Sequence, residues 1–510
     1  MTSASPSRQG CTTQHTLATP QGMIPYTADA QWQVLYDQDQ PVAELFHVAY
    51  TVDDAEPSQR PITFVVNGGP GAASAYLHMG AMGPKRVVFE TEGGLPKPPV
   101  QIEDNAETWL SFTDLVFIDP LGTGFSRVLA KEESPGAKAA PKASDSSNGA
   151  EGSTTSPKGD SSSATATLEK AKTFWDTERD LKALGEFIQG YLSAQNRWLS
   201  PIFIAGESYG GFRVAKLARQ LQQSFGVGLN GTIIISPVLE FDFLGGTDYS
   251  LMGWATAIPS MAATAVHHGR VSPPSPEAHR AQAETFARQT LIPFLAQGNL
   301  ATEADRQRVY GDMAALTGLP LALVQRHRGR LGIDVFAREL LRDQNRTLGL
   351  YDASVTAIDP FPDRPLNEGT DPTLDGLDRL FTGAINHHLR STLGISTPLT
   401  YHLLNDEVFK AWKFLSEKDS KQGFVGSVDD LRVAMALNPH MQVAINHGFY
   451  DLVTPYFASN LLVDLMALSS ELQANLTLQH FRGGHMFYTW EASRQQWQRS
   501  MQAFYQRALA

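Results

Sequence analysis

Gly206-Glu207-Ser208-Tyr209-Gly210 is a G-x-S-x-G pentapeptide set between two unlike stretches of chain. The residues before it, Pro201-Ile202-Phe203-Ile204-Ala205, form a short apolar run suited to a buried strand. Those after it, Gly211-Phe212-Arg213-Val214-Ala215-Lys216-Leu217-Ala218, have the spacing of a helix. A chain that leaves a strand and enters a helix within one residue must turn sharply, and flanking glycines admit backbone angles that side chains forbid. The Ser208 hydroxyl is thereby held above the sheet, in the setting of a nucleophile elbow. With 42 glycines in the chain a bare match carries little weight, and the strand-turn-helix context is what gives it meaning.

The same alternation recurs on both sides of the elbow. A hairpin is predicted from Trp32 to Thr51, turning at Gln38-Asp39-Gln40. Apolar strands follow at 62–66 and 115–118, a helix at 174–194, and strands at 201–205 and 232–235. Short all-apolar strands alternating with helices indicate an α/β fold whose mostly parallel sheet is covered on both faces. The strand series pauses between 240 and 400, where helical patterns such as 281–296 and 322–330 dominate. It resumes at 443–445 and 476–481, before a closing helix from about Trp490 to Leu509. The expected organisation is a tail over residues 1–30, a core over 31–239 and 401–510, and a mainly helical insertion over 240–400. Residues 131–168 lack a large apolar residue before Leu168 and read as a disordered surface loop within the core.

Composition excludes several functions. The formal charge of -12, without a Lys/Arg cluster, argues against a nucleic-acid partner. No apolar run approaches the roughly 18–20 residues that span a bilayer. Cys11 is the single cysteine, so neither an internal disulfide nor a C-x-x-C metal site can form. Met1 to Gln21 lacks the apolar stretch of a secretory signal, which makes a cytoplasmic location the default expectation, with a periplasmic or secreted one if the chain is a processed form. The Asn230, Asn345 and Asn475 sequons then read as chance matches.

A serine hydroxyl becomes a nucleophile when a histidine takes its proton, and that histidine needs a carboxylate to set its tautomer. In α/β-hydrolases these residues occur in the order Ser, Asp, His, each after a strand. His485, in Gly483-Gly484-His485-Met486 after strand 476–481, and Asp451, beyond strand 443–445, satisfy the order. His447, His480 and Asp464 are rivals with weaker contexts, since His447 precedes the carboxylate and His480 falls inside a strand. The oxyanion formed in acyl transfer needs backbone donors. The Tyr209 N–H is one, and the loop Asn67-Gly68-Gly69-Pro70-Gly71 is positioned to supply another. That loop lacks the Lys-Ser/Thr of a phosphate loop, and no H-E-x-x-H is present. This chemistry requires no metal and no organic cofactor.

Together, Asn67-Gly68-Gly69-Pro70-Gly71, Ile118-Asp119-Pro120-Leu121-Gly122-Thr123-Gly124-Phe125-Ser126, Gly206-Glu207-Ser208-Tyr209-Gly210 and Gly484-His485-Met486 resemble the signature blocks of the serine carboxypeptidases, peptidase family S10 of the α/β-hydrolase superfamily. The lack of disulfides and of a signal is more similar to bacterial members. The resemblance implies an α/β-hydrolase fold with a helical cap, a Ser208–Asp451–His485 triad, an oxyanion hole at Gly69 and Tyr209, and peptide or protein C-termini as substrates. It further implies that Asn67 and Glu207 bind the substrate's terminal carboxylate. A second family glutamate is absent, because Ala81 occupies its position, and Val65 and Ala72 replace a family tryptophan and cysteine. His78, Lys85 and Arg213 are candidates to compensate. A carboxylate accepts no hydrogen bond from another carboxylate, so Glu207 must be protonated to bind substrate, which favours acidic pH. The lone acid predicts weaker acid dependence than a pair. An esterase or acyltransferase on the same fold, and a noncatalytic binding protein, are the alternatives; oligomeric state is not legible.

Overall fold

The computed structural model describes residues 9–20, 22–129, 169–245, 247–364, 369, 371–415 and 424–510. The 131–168 segment lies outside them. The chain builds one large sheet from β1 (Cys11–Thr19), β2 (Gly22–Asp37), β3 (Gln40–Val52), β4 (Ile62–Val66), β5 (Asp114–Ile118), β6 (Arg127–Val128), β7 (Ile202–Glu207), β8 (Gly231–Ile235), β9 (Gln442–Gly448) and β10 (Leu476–Phe481). Their spatial order is β1-β2-β3-β5-β4-β7-β8-β9-β10, with β6 beside β3. From β5 to β10 neighbouring strands are parallel, while β1, β2 and β3 add an antiparallel edge.

The central strands are apolar throughout because both faces are covered. Their side chains divide with period two: Phe203, Ala205, Ile233 and Ile235 pack on one face with Trp109, Trp497 and Tyr505, while Ile202, Ile204 and Ile234 pack on the other with Phe187, Phe212 and Leu217. The amphipathic helices Thr177–Ala194 and Tyr209–Ser224 line the second face. Asp176 caps the first of them, its carboxylate accepting the Arg179 N–H. Helices between Leu251 and Glu339 build a third apolar cluster around Met261, Phe286, Val309 and Phe336, which joins Tyr456, Phe457 and Trp490 of the core. The helical pattern at 281–296 is interrupted by a π-turn at Phe286–Leu291.

Within the expected tail of residues 1–30, Cys11–Thr19 and the stretch from Gly22 onward are instead strand. β1 and the first half of β2 form a hairpin whose outward positions are exposed, and β2 then pairs with β3 along its length. The expected hairpin at 32–51 is thus the inner part of a three-stranded antiparallel edge. An edge strand with one solvated face needs few apolar residues, so CTTQHTLAT gives little hydrophobic signal.

Candidate active site

The parallel strands deliver five loops to one edge of the sheet, beside the point where strand order reverses at β4. β7 ends at Glu207, and Ser208 takes φ 62° and ψ -124° before helix Tyr209–Ser224 begins. The sequence placed the conformational burden on the glycines, but the structure places it on Ser208 itself. The glycines are required by crowding: a Cβ on Gly206 would lie 2.1 Å from the Gly210 carbonyl oxygen, and one on Gly210 would lie 2.7 Å from that of Val66. The Ser208 N–H is tied to the Ile235 carbonyl at 2.9 Å, which anchors the strained turn to β8. Ser208 is partly exposed between buried neighbours.

The β9 and β10 loops bring Asp451 and His485 together. His485 Nδ1 and Asp451 Oδ2 are 2.7 Å apart, with both side chains buried. Asp451 Oδ1 also accepts the N–H groups of Val453 and Thr454, each at 2.9 Å, and Oδ2 accepts the Thr454 hydroxyl at 2.7 Å. Four donors therefore fix the carboxylate. The Ser236 hydroxyl, on the β8 loop, holds the His485 carbonyl at 2.7 Å. Burial opposes charging the His485 ring, but the adjacent Asp451 carboxylate outweighs it and raises the imidazole's pKa. The rival residues are engaged elsewhere: His447 with Ser459, His480 with Asn460, and Asp464 with Arg288. With Nδ1 on Asp451, the far ring nitrogen of His485 is left to act on a hydroxyl.

The Asn67–Gly71 loop follows β4 and packs against the elbow. A Cβ on Gly68 would lie 2.5 Å from the Tyr209 nitrogen, so only glycine permits this approach. The Tyr209 N–H opens a helix and has no partner one turn back, which leaves it available to an anion. Gly69 holds φ 95° beside it. Buried Arg213 secures this loop from below, donating to the Asn67 carbonyl at 2.6 Å and the Gly68 carbonyl at 3.1 Å while paired with Asp180 at 2.7 Å. The Tyr209 ring lies under the guanidinium, and its hydroxyl meets Thr177 and Trp412.

Asn67 and Glu207 touch directly. The Asn67 amide donates to Glu207 Oε2, and its own oxygen accepts the Leu77 N–H at 3.1 Å. The Tyr488 hydroxyl donates to the same Oε2 at 3.0 Å. Glu207 Oε1 is buried and has no partner among the described residues. Burial pushes the Glu207 carboxyl up to about 7, against the opposing pull of His485, Tyr488 and Asn67.

Each candidate to compensate for Ala81 is already committed. Arg213 serves Asp180 and the loop carbonyls, Lys85 pairs with Asp104, and buried His78 bonds to Tyr50 while stacking on Phe117. Ala81 itself is fully packed in the apolar cluster.

Sequence reasoning missed Tyr488, Thr454 and Asp352. Thr454 was accessible through Asp-x-x-Thr spacing, an Asp side chain receiving the following N–H groups. Asp352 had no local signal. It projects from the insertion to accept the Gly484 N–H at 2.9 Å and the Trp490 indole at 3.2 Å, while the neighbouring Tyr351 carbonyl accepts the His485 N–H. The histidine loop is therefore clamped from outside the core.

Residues 34–245 match the serine carboxypeptidase family. The match supports that family over less than half of the chain, from β2 to just past β8. A curated relative, serine carboxypeptidase-like 13 of Arabidopsis thaliana, is 21% identical over 224 residues, covering 43% of this chain and 41% of that protein. The aligned part is thus about two-fifths of the relative's length. The solved structure of Kex1, a prohormone-processing carboxypeptidase from Saccharomyces cerevisiae, superposes with a TM-score of 0.54 at 15% identity, over 95% of this chain and 92% of that one. At that identity the likeness establishes fold, and the fold is α/β-hydrolase. The serine carboxypeptidase match also corrects the expected location. The family, with Kex1 and its plant relatives, comprises secreted or vacuolar and Golgi enzymes, which contradicts a cytoplasmic default.

Proposed function

We propose that this protein is a serine-type carboxypeptidase that shortens peptides and proteins from their C-termini through an acyl-enzyme on Ser208. The observation that carries the reading is Glu207: a buried carboxyl adjoining the elbow serine, bonded to Asn67, with one oxygen unpartnered among the described residues. A buried carboxyl that keeps its proton can donate a hydrogen bond to a substrate's terminal carboxylate, which is the recognition a carboxypeptidase needs. The family match and fold support hydrolysis of this class.

In this reading His485 takes the Ser208 proton as the serine oxygen bonds to the scissile carbonyl carbon, and Asp451 holds the imidazole in the required tautomer and stabilises its cation. The carbonyl oxygen, now anionic, receives the N–H groups of Tyr209 and Gly69, each donor worth roughly 3–4 kcal/mol in the transition state. The C–N bond breaks as His485 returns the proton to the departing amine. That amine belongs to the C-terminal residue, whose carboxylate Asn67 and Glu207 hold. Water then attacks the acyl-enzyme by the same route and frees Ser208. The free, single Cys11 supports a disulfide-free member of the bacterial type.

Mass analysis of a peptide with a free C-terminus, beside its C-terminal amide, tests the reading. Stepwise loss from the free peptide that far exceeds loss from the amide, and that Ser208→Ala abolishes, is expected. Equal handling of both, or hydrolysis of simple esters without any shortening of peptides, would refute it.

A further inference from the structure

Among the described residues, the carboxyl of Glu207 receives two donors on one oxygen and none on the other. The Tyr488 hydroxyl and the Asn67 amide both donate to Oε2, whereas Oε1 lies buried without a partner among the described residues. Tyr488 is fully buried, follows His485 by three residues, and is held by stacking on Trp497 and by close contact with Gly80. Building on the carboxypeptidase reading, we propose that Tyr488 is a positioning residue of the carboxylate site: its donation to Oε2 leaves Oε1 as the proton-bearing oxygen that donates to the substrate's terminal carboxylate.

The chemistry follows from the inventory of lone pairs. In a neutral carboxyl group the carbonyl oxygen accepts two hydrogen bonds well and the hydroxyl oxygen serves as donor. Two donors converging on Oε2 make it the carbonyl oxygen, so the proton resides on Oε1. When Glu207 ionises, Oε1 becomes an anion facing a second anion, and substrate is repelled. Tyr488 also favours the charged form by donating to it, so it sets the pH at which binding is lost. The other titratable or charged groups around Glu207 are His485 and Asp451 from the β10 and β9 loops, and Tyr76 from the turn after the Asn67 loop. Arg213, from the helix after the elbow, reaches the Asn67 backbone and is neutralised by Asp180. One tyrosine thus supplies the partner that a second acid would otherwise supply, without sharing a proton.

The test uses the full chain and four proteins: wild type, Tyr488→Phe, Glu207→Gln and the double variant. kcat/KM is measured from pH 5 to 9 on a free-terminus peptide and on an activated ester lacking a carboxylate. The peptide-to-ester ratio cancels titration of His485. Wild type is expected to show a ratio that falls as pH rises, the fall residing in KM. In Tyr488→Phe the midpoint moves upward by about 1–2 pH units, because the anion loses a donor. Glu207→Gln cannot ionise, so its ratio does not fall, and adding Tyr488→Phe leaves that profile unaltered. An unshifted midpoint in Tyr488→Phe that still labels with an active-site serine probe overturns the proposal. Wild type that cleaves the ester but shortens no peptide at any pH overturns the carboxypeptidase reading instead, and this proposal with it. Infrared difference spectra of wild type against Glu207→Gln provide a measure that needs no Tyr488 variant. A protonated-carboxyl C=O band at a hydrogen-bonded position is expected, and a free-carbonyl band overturns the assignment of the proton.

Discussion

Replacing Glu207 by glutamine removes an ionisation that the fold resists. The side chain is 1% exposed, and burial lifts its carboxyl from 4.5 to about 7. A raised carboxyl binds its proton more tightly when folded, so the wild type has its full stability below about pH 4.5, loses it as pH climbs toward 7, and loses no more beyond. At about 1.4 kcal/mol per pH unit, the whole loss is about 3 kcal/mol. Glutamine matches the neutral form, its oxygen accepting from Asn67 and Tyr488 and its amide facing the unpartnered side. The expected signature is therefore a difference between variant and wild type that is flat below pH 4.5, grows between 4.5 and 7, and levels off at about 3 kcal/mol in favour of glutamine. Urea denaturation at half-unit intervals from pH 4 to 9 reads it. Asp119 and Asp352, also buried and pushed up to about 7 and about 6, titrate in both proteins and cancel in the difference. A difference that stays constant across the range would refute the reasoning, since it would mean that Glu207 does not carry a displaced proton.

Three further outcomes follow from contacts already described. Thr454→Val removes the hydroxyl donor from Asp451 Oδ2, and should lower kcat on an activated ester about tenfold with KM unchanged; an unaltered kcat would show that Asp451 needs no such support. Asp352→Ala leaves the Gly484 N–H and the Trp490 indole without their acceptor, and should cost about 1–3 kcal/mol in urea denaturation at pH 8, with no loss contradicting the clamp. Arg213→Met strands Asp180 as an unpaired buried charge beneath the Asn67 loop, so a loss of about 3–5 kcal/mol is expected from the same measurement at neutral pH, and neutrality would refute the ion pair's importance.

The elbow, the Asn67–Gly71 loop and the pairing of Asp451 with His485 were legible because each is announced locally, by an apolar strand running into a loop of unusual composition. That Ser459 engages the rival His447 and Asn460 the rival His480 was not legible, because those partners lie 12 and 20 residues away. β1 was misread because a solvated edge strand alternates without apolar residues, and the eye finds tail where the sheet finds a partner.

Chain order and residue type determined the layered α/β architecture, the position of Ser208 at a strand end and the placement of Asp451 and His485 on the loops after β9 and β10, because strand, turn and helix are set by interactions a few residues apart. Tertiary structure alone decided which oxygen of Glu207 is left unpartnered, that Tyr488 shares its other oxygen with Asn67, that Arg213 supports a loop rather than a substrate, and that Asp352 reaches across from the insertion to hold the histidine loop. These contacts join residues as much as 281 positions apart, and no local pattern records them. The pairing of a buried acid with a donor is a property of where the chain crosses itself, and packing fixes that.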